Sequence, residues 1–385
     1  MAAFLSELIR VRNENPPGLN YEAGLTVVAR HLETLGVQSR IEPVPGPRTE
    51  PPRFWLSTEW GEGDRAVYFH GHIDVVPAQD PSQFEPRVTE DTIFGRGSTD
   101  MKGGLVSMIY AIEALRDTGL RPKGRIALRV VPDEETGGAS GSRALCDSGL
   151  LYGDDACAML TAEPTGGLLW NASRGALTYR LRVAGRTSHV GLSYRGVNAF
   201  EKSFPLLEAL DEIKRDVETR TTRFPLEPEG ARRSILMMGG EVSGERNFNV
   251  VPESFSFTVD RRVNPEEDFD EEKRRLLAAV ETARAKGIDV ELECIQEARP
   301  ASIDTEHAAA RAIAKSVEEV TGTAPRVELC PGILEIRFYA ERGVPAFAYG
   351  PGLLSVAHGP NEFVKRRDLE DCAAVYALAA LRLLE

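Results

Sequence analysis

Five short segments carry the side chains whose types and spacing could do chemistry. In HGHIDVVP, His72 and Asp74 stand two apart, which on a strand puts both on one face. A histidine beside a carboxylate serves as a metal ligand with its orienting partner or as a general base; alone, it is also an ordinary pair at a strand end. His70 shares that face and reads as a neighbour packing the site. Asp100 sits in FGRGSTDMKGG, a Gly-rich turn opening a helix. The turn lacks the third glycine of a dinucleotide fingerprint and the G-K-[ST] of a phosphate loop, so its carboxylate is free to face a cation. Asp133, Glu134 and Glu135 are consecutive in VVPDEETGG, and adjacent acids repel one another unless solvated or neutralised. Glu163 in LTAEPT and His358 in YGPGLLSVAHGPNEFV again follow short apolar runs.

Taken together, these are nitrogen and oxygen donors suited to two hard-to-borderline divalent ions sharing a carboxylate, Zn²⁺ first among them. One carboxylate is left over to act as a base. The elements that must position them are apolar runs ending in turns, at 66–77, 125–138 and 156–165, with a helix-compatible stretch at 103–119. Such alternation predicts an α/β sheet covered on both faces, and open α/β sheets bind ligands beyond the carboxyl ends of their strands. Leu25, Val28, Ala29, Leu32 and Leu35 keep helical spacing up to a stop at Gly36. The N-terminal segment, with charges among its apolar residues, reads as a surface helix.

The pattern changes after Asn171. Strand patterns at 176–185, 233–242, 253–262 and 288–295 and helical ones at 198–217 and 266–287 give the order βαββαβ, a ferredoxin-like α+β module. Helix–strand alternation returns after Arg299. The expected organisation is a catalytic domain over 1–174 and 299–385 with a module inserted at 175–298.

Composition narrows the partners. Among 385 residues, 46 Lys and Arg stand against 59 Asp and Glu, a net charge of −13, which argues against a nucleic-acid partner. No apolar run approaches the roughly 20 residues that cross a bilayer, and no signal-peptide pattern opens the chain. Five widely spaced cysteines without a C-x-x-C pair read as buried thiols, and the expected location is the cytoplasm.

The ordered set GHIDVVP, GRGSTDMKGG, PDEETGG, AEPT and AHGPNE resembles the M20 family of metallohydrolases, from about residue 5 to the C-terminus. That family includes acetylornithine deacetylase, succinyl-diaminopimelate desuccinylase, aminoacylase-1 and glutamate carboxypeptidase. The resemblance implies a di-zinc catalytic domain, with Co²⁺ an alternative metal, and an inserted lid domain through which a homodimer forms. It implies His72 and Glu163 on the first metal, Glu135 and His358 on the second, and Asp100 bridging both. Glu134 matches the general base and Asp74 the partner orienting His72. A cis peptide at Asp100–Met101 is also implied. From the lid, His189 matches a histidine that stabilises the tetrahedral intermediate, while Asn249 and Arg262 match residues that bind the substrate's carboxylate.

One segment departs from the pattern. Relatives usually read Gly-Gly-Thr-Asp-Ala-Arg-Phe where this chain has Gly332-Ile333-Leu334-Glu335-Ile336-Arg337-Phe338, so large apolar residues stand beside the expected pocket, with Gly332 among the substrate-binding positions. The implied activity is metal-dependent hydrolysis of an amide bond in an N-acyl amino acid or short peptide. The alternatives are a dipeptidase or carboxypeptidase of the same family, a co-catalytic zinc aminopeptidase, and an inactive binding homologue.

Overall fold

The strand Ala66–His72 is buried at every position, which is why its sequence reads as a nearly continuous apolar run rather than an alternation. Around it the computed structural model, which describes residues 1–385, builds a nine-stranded mixed sheet. Six of its strands lie in the order Ser39–Pro43, Phe54–Gly61, Arg125–Val131, Ala66–His72, Ala156–Thr161 and Ala346–Ala348. The last four are mutually parallel, so their carboxyl ends share one edge. The first two join antiparallel.

Helices Ala2–Arg10, Tyr21–Thr34, Lys102–Thr118, Ala308–Thr321 and Arg366–Leu383 share one apolar core with this sheet. The N-terminal helix lies at the surface as expected, exposing Ala3, Glu7 and Arg10, with its other face packed inward. Phe4, Leu5, Leu8 and Ile9 recur at helical spacing and are all buried, so only the opposite stripe meets water. Helix Tyr21–Thr34 ends just before Gly36, whose φ of 71° a side chain would resist. No helix is long and apolar enough to cross a membrane.

The chain divides into two compact units. The first holds Met1–Asn171, Ser302–Glu328 and Glu335–Glu385; the second holds Ala172–Ala301 and Leu329–Leu334. In the second, Ile235–Ser243, Ser254–Val263, Gly175–Ala184 and Val290–Ala298 form an antiparallel sheet in that order. Alternate residues of one strand, Leu177, Tyr179, Leu181 and Val183, enter its core. The stretch 198–217, expected to be helical apart from Pro205, is two helices, Ala199–Lys202 and Phe204–Val217. Pro205, which has no N–H to donate, is accommodated in the first turn of the second. All five cysteines are free; Cys146, Cys330 and Cys372 are buried, but Cys294 is exposed, against the expectation for it.

Candidate metal centre

The parallel strands deliver the donors. His72 closes its strand, and its Nδ1 lies 3.0 Å from the Asp74 carbonyl oxygen. Its Nε2 faces Asp100 Oδ1 at 3.2 Å and Glu163 Oε1 at 3.8 Å. His358 Nε2 lies 3.2 Å from Asp100 Oδ2 and 3.2 Å from Glu135 Oε2. Asp100 therefore turns one oxygen to each histidine. The donor atoms of His72, Asp100 and Glu163 lie within 4.8 Å of one another, as do those of Asp100, Glu135 and His358. Each set offers one imidazole nitrogen and two carboxylates, a donor chemistry that fits a divalent ion such as Zn²⁺.

The glycines after Asp100 make this approach sterically feasible. A Cβ on Gly104 would lie 2.4 Å from the Ala162 carbonyl oxygen, and one on Gly103 would lie 2.3 Å from that of Ser98. Only glycine lets the helix start abut both backbones and so bring Asp100 beside Glu163. The Asp100–Met101 peptide is cis, as the resemblance implies.

Asp74 is not on the strand with His72. The strand stops at His72, and the chain turns to residues 13–15, with the Val75 N–H on the Asn13 carbonyl (3.0 Å) and the Asn15 N–H on the Val75 carbonyl (2.9 Å). Asp74 is fully buried in that turn, its Oδ1 3.5 Å from His72 Nδ1. It also accepts the Glu134 N–H (3.3 Å), the Glu135 N–H (3.2 Å) and Asn15 Nδ2 (2.9 Å). One carboxylate thus lies against His72 and anchors the loop carrying Glu134 and Glu135. Asp133 belongs to the loop instead: at φ 75° it accepts Thr136 Oγ1 (2.6 Å) and the Ser140 N–H (2.7 Å).

Burial pushes Glu134 well above the usual carboxylate range, and Glu163, Glu135 and Glu335 add to it. Glu163 and Glu135 are raised by burial and by Asp100. Burial would raise Asp100 too, but His358 and His72 hold it below its ordinary value. Burial alone would lower His72; Asp100 and Asp74 carry it well above the usual imidazole range. His358 is pushed up to about 10 by its bonds to Asp100 and Glu135. Buried acids that resist charging beside one another are the environment a dication relieves.

One buried pair escaped the motif reading. His70 Nε2 meets Glu335 Oε2 at 2.6 Å, with Tyr339 Oη 3.2 Å from Nδ1. His70 is outside both donor sets, and Glu335 is an acid within the segment read as turning apolar. Leu334 and Ile336 are themselves buried. An acid between apolar neighbours in a motif already known to be unusual was the available signal.

His189, Asn249, Arg262 and Gly332 belong to the second unit. His189 is exposed, and its Nδ1 accepts the Gly191 N–H at 3.1 Å, which leaves the proton on Nε2. The Asn249 carbonyl accepts the Val190 N–H at 2.9 Å. Arg262 is already paired: its Nε and Nη2 reach Asp260 Oδ2 at 3.1 and 2.9 Å. The Gly332 carbonyl accepts the Arg174 N–H at 3.1 Å.

Residues 68–382 match the model of peptidase family M20/M25/M40. The chain belongs to that family. It is an M20-family metallohydrolase acting on carbon–nitrogen bonds. Among curated relatives, it is 28% identical over 334 residues to a succinyl-diaminopimelate desuccinylase from Alkalilimnicola ehrlichii, covering 84% of this chain and 85% of the relative. An M20 family metallo-carboxypeptidase from Sulfolobus solfataricus shares the fold with a TM-score of 0.81 at 18% identity, over 100% of this chain and 99% of that one. Human carnosine dipeptidase 1 does so with a TM-score of 0.75 at 17% identity, over 99% and 95%.

Proposed function

We propose that this M20 hydrolase cleaves the amide bond of an N-acyl amino acid or short peptide, with Glu134 as general base. The observation that carries the reading is the sharing of Asp100 between two donor sets while Glu134, on the same loop as Glu135, belongs to neither. His72, Asp100 and Glu163 would hold one divalent ion and Asp100, Glu135 and His358 the other, with Zn²⁺ expected and Co²⁺ able to replace it. When bound, such ions supply Lewis-acid polarisation of the scissile carbonyl and lower the pKa of water. Glu134 takes the proton from the attacking water and returns it to the leaving nitrogen. Asp74 holds Glu134 and His72 in place.

His189, with its proton on Nε2, is the proposed oxyanion donor. Arg262 and Asn249 are the proposed partners of the substrate's carboxylate, and Gly332 is a further proposed substrate-binding position. Likeness to a desuccinylase supports the N-acyl amino acid, and likeness to a carboxypeptidase and a dipeptidase keeps a peptide substrate as the second reading. A homodimer through the second unit is supported by its edge strand, Ile235–Ser243, which exposes Ile235, Met237 and Val242.

The test is turnover of N-acetyl, N-succinyl and longer N-acyl amino acids and of dipeptides, by chelated protein before and after Zn²⁺ or Co²⁺ is added. Activity should vanish on chelation and return with metal. Glu134→Gln should lose about 10²- to 10⁴-fold in rate while still taking up metal. A Glu134→Gln enzyme near the wild-type rate overturns the base assignment, and a requirement for a free α-amino group points to an aminopeptidase.

A further inference from the structure

Beside the donor sets lies a buried ion pair that belongs to neither of them. Arg96, in the turn ahead of Asp100, and Glu362, just before strand Phe363–Lys365, meet at 2.7 Å with both side chains 1% exposed. Glu362 Oε1 accepts two backbone donors, the Thr99 N–H at 3.0 Å and the Asp100 N–H at 3.1 Å. Arg96 reaches the other way: Nη2 donates to the His358 carbonyl and Nη1 to the Gly359 carbonyl, each at 3.3 Å. One charge pair therefore holds the peptide of Asp100 with one partner and that of His358 with the other, across 262 residues of sequence.

Desolvating two charges is costly, and an apolar pair of similar volume often gives equal or better stability. An apolar pair here would leave two buried backbone groups, the Thr99 and Asp100 N–H, without this acceptor, and would take one donor from each of the His358 and Gly359 carbonyls. His358 adds to the need. Its φ of 63° lies in the left-handed region, which residues other than glycine adopt only when their surroundings hold them there. Gln79 Nε2, 3.4 Å from the same carbonyl, and Gln83 Nε2, 3.1 Å from that of Gly359, complete the grip on this loop.

We propose that Arg96 and Glu362 are a positioning pair that sets the separation of Asp100 from His358, and through it the affinity of the Asp100–Glu135–His358 set for its cation. The inference rests on the metal reading given above. The effect should be asymmetric. His72 and Glu163 each follow from the end of their own strand, His72 also resting on Asp74, whereas His358 stands ten residues beyond the strand Ala346–Ala348 and depends on this grip.

The experiment is a Co²⁺ titration of chelated protein, followed by calorimetry and visible absorption, with the melting temperature of the chelated form recorded. Wild type should take up two ions. In Glu362→Gln the amide keeps an oxygen for Thr99 and Asp100 but turns N–H groups toward Arg96. One ion should then bind within about threefold of wild type, and the other about 10- to 100-fold more weakly. The absorption bands of the weakened site should change as well. Arg96→Met should weaken the same site, and Arg96→Lys, which keeps a charge for Glu362, should recover part of the loss. Both ions at wild-type affinity in Glu362→Gln overturn the proposal, as does a parallel loss of both with a lower melting temperature, the signature of a merely structural role. Should Glu362→Gln fail to fold, Arg96→Lys is titrated in its place against the same outcomes. A wild type that takes up fewer than two ions overturns the metal reading itself, and the pair's role falls with it.

Discussion

Replacing Asp74 with asparagine tests whether a residue that belongs to neither donor set governs the rate. Asp74 has no exposed surface, so water cannot replace a lost bond. Its Oδ2 accepts Asn15 Nδ2 at 2.9 Å and the Glu135 N–H at 3.2 Å; its Oδ1 accepts the Glu134 N–H at 3.3 Å and lies 3.5 Å from His72 Nδ1. An asparagine can leave an oxygen on only one side. With its amide nitrogen at the Oδ2 position, two hydrogen bonds to a charged acceptor become donor–donor contacts; at the Oδ1 position, the Glu134 N–H loses its acceptor, while His72 Nδ1 keeps the Asp74 carbonyl oxygen at 3.0 Å. Each bond to a charged group is worth about 1.5–3 kcal/mol, so the first arrangement costs about 3 kcal/mol or more, or about two orders of magnitude. That cost falls on the loop bearing Glu134, the proposed base, whose placement would then matter to the chemical step rather than to substrate binding. For Asp74→Asn at saturating Zn²⁺ we therefore expect kcat about 100-fold below wild type with KM within about threefold, and metal affinity about 10- to 100-fold weaker. Initial rates at several metal concentrations separate the two effects. A folded Asp74→Asn enzyme whose kcat at saturating metal stays within threefold of wild type refutes the reasoning, because the loop would then be held by something other than this carboxylate.

Two further outcomes can be stated from the second unit. Arg262 shares its Nε and Nη2 with Asp260, and a lysine has no planar fork with which to hold Asp260 and a substrate carboxylate together. Arg262→Lys should raise KM about 10- to 100-fold with kcat little changed, in steady-state assays on an N-acyl amino acid; an unchanged KM removes Arg262 from the substrate site. Glu272 is buried against Arg220 Nη1 and Arg261 Nε, each at 2.8 Å, and Arg275 Nη1 at 3.1 Å. Burial alone would raise its carboxyl, but these guanidinium groups, Arg220 foremost, hold it below its ordinary value. A carboxyl depressed in the folded state stabilises fully above its unfolded pKa, about 4.3, and that stability is lost as pH falls through the folded value. Glu272→Gln should lower the urea midpoint at pH 7, by about 3 kcal/mol of stability, and its deficit should shrink below about pH 4. A deficit unchanged between about pH 7 and pH 3 contradicts this.

What could be read from the chain, and what could not, divides along a physical line. His72, Glu135 and Glu163 were legible because each stands within four residues of the end of a buried parallel strand, where local spacing alone fixes the edge of the sheet. The strands of the separate antiparallel sheet were legible for a similar reason, since the alternation of Leu177, Tyr179, Leu181 and Val183 is local. The supports were not. Asp74 was assigned by strand alternation to the face of His72, yet the chain leaves the sheet one residue after that histidine to pair with residues 13–15, a partner no local pattern names. In the run Asp133–Glu135 the sequence gives three equivalent acids, and only a positive φ at the first decides which of them is spent on the loop's own N–H groups. Glu335 and Glu362 are acids whose partners, His70 and the Thr99 and Asp100 amides, lie more than 260 residues away. Donors are chosen by chemistry that residue type displays, whereas supports answer a demand that arises only once two distant loops are buried together and their backbone groups must be satisfied. A sequence therefore shows its ligands before it shows what holds them. In this chain the residues proposed to position the candidate donors, Asp74, Arg96 and Glu362, are the ones whose substitution best separates a site that is merely present from one that is correctly spaced.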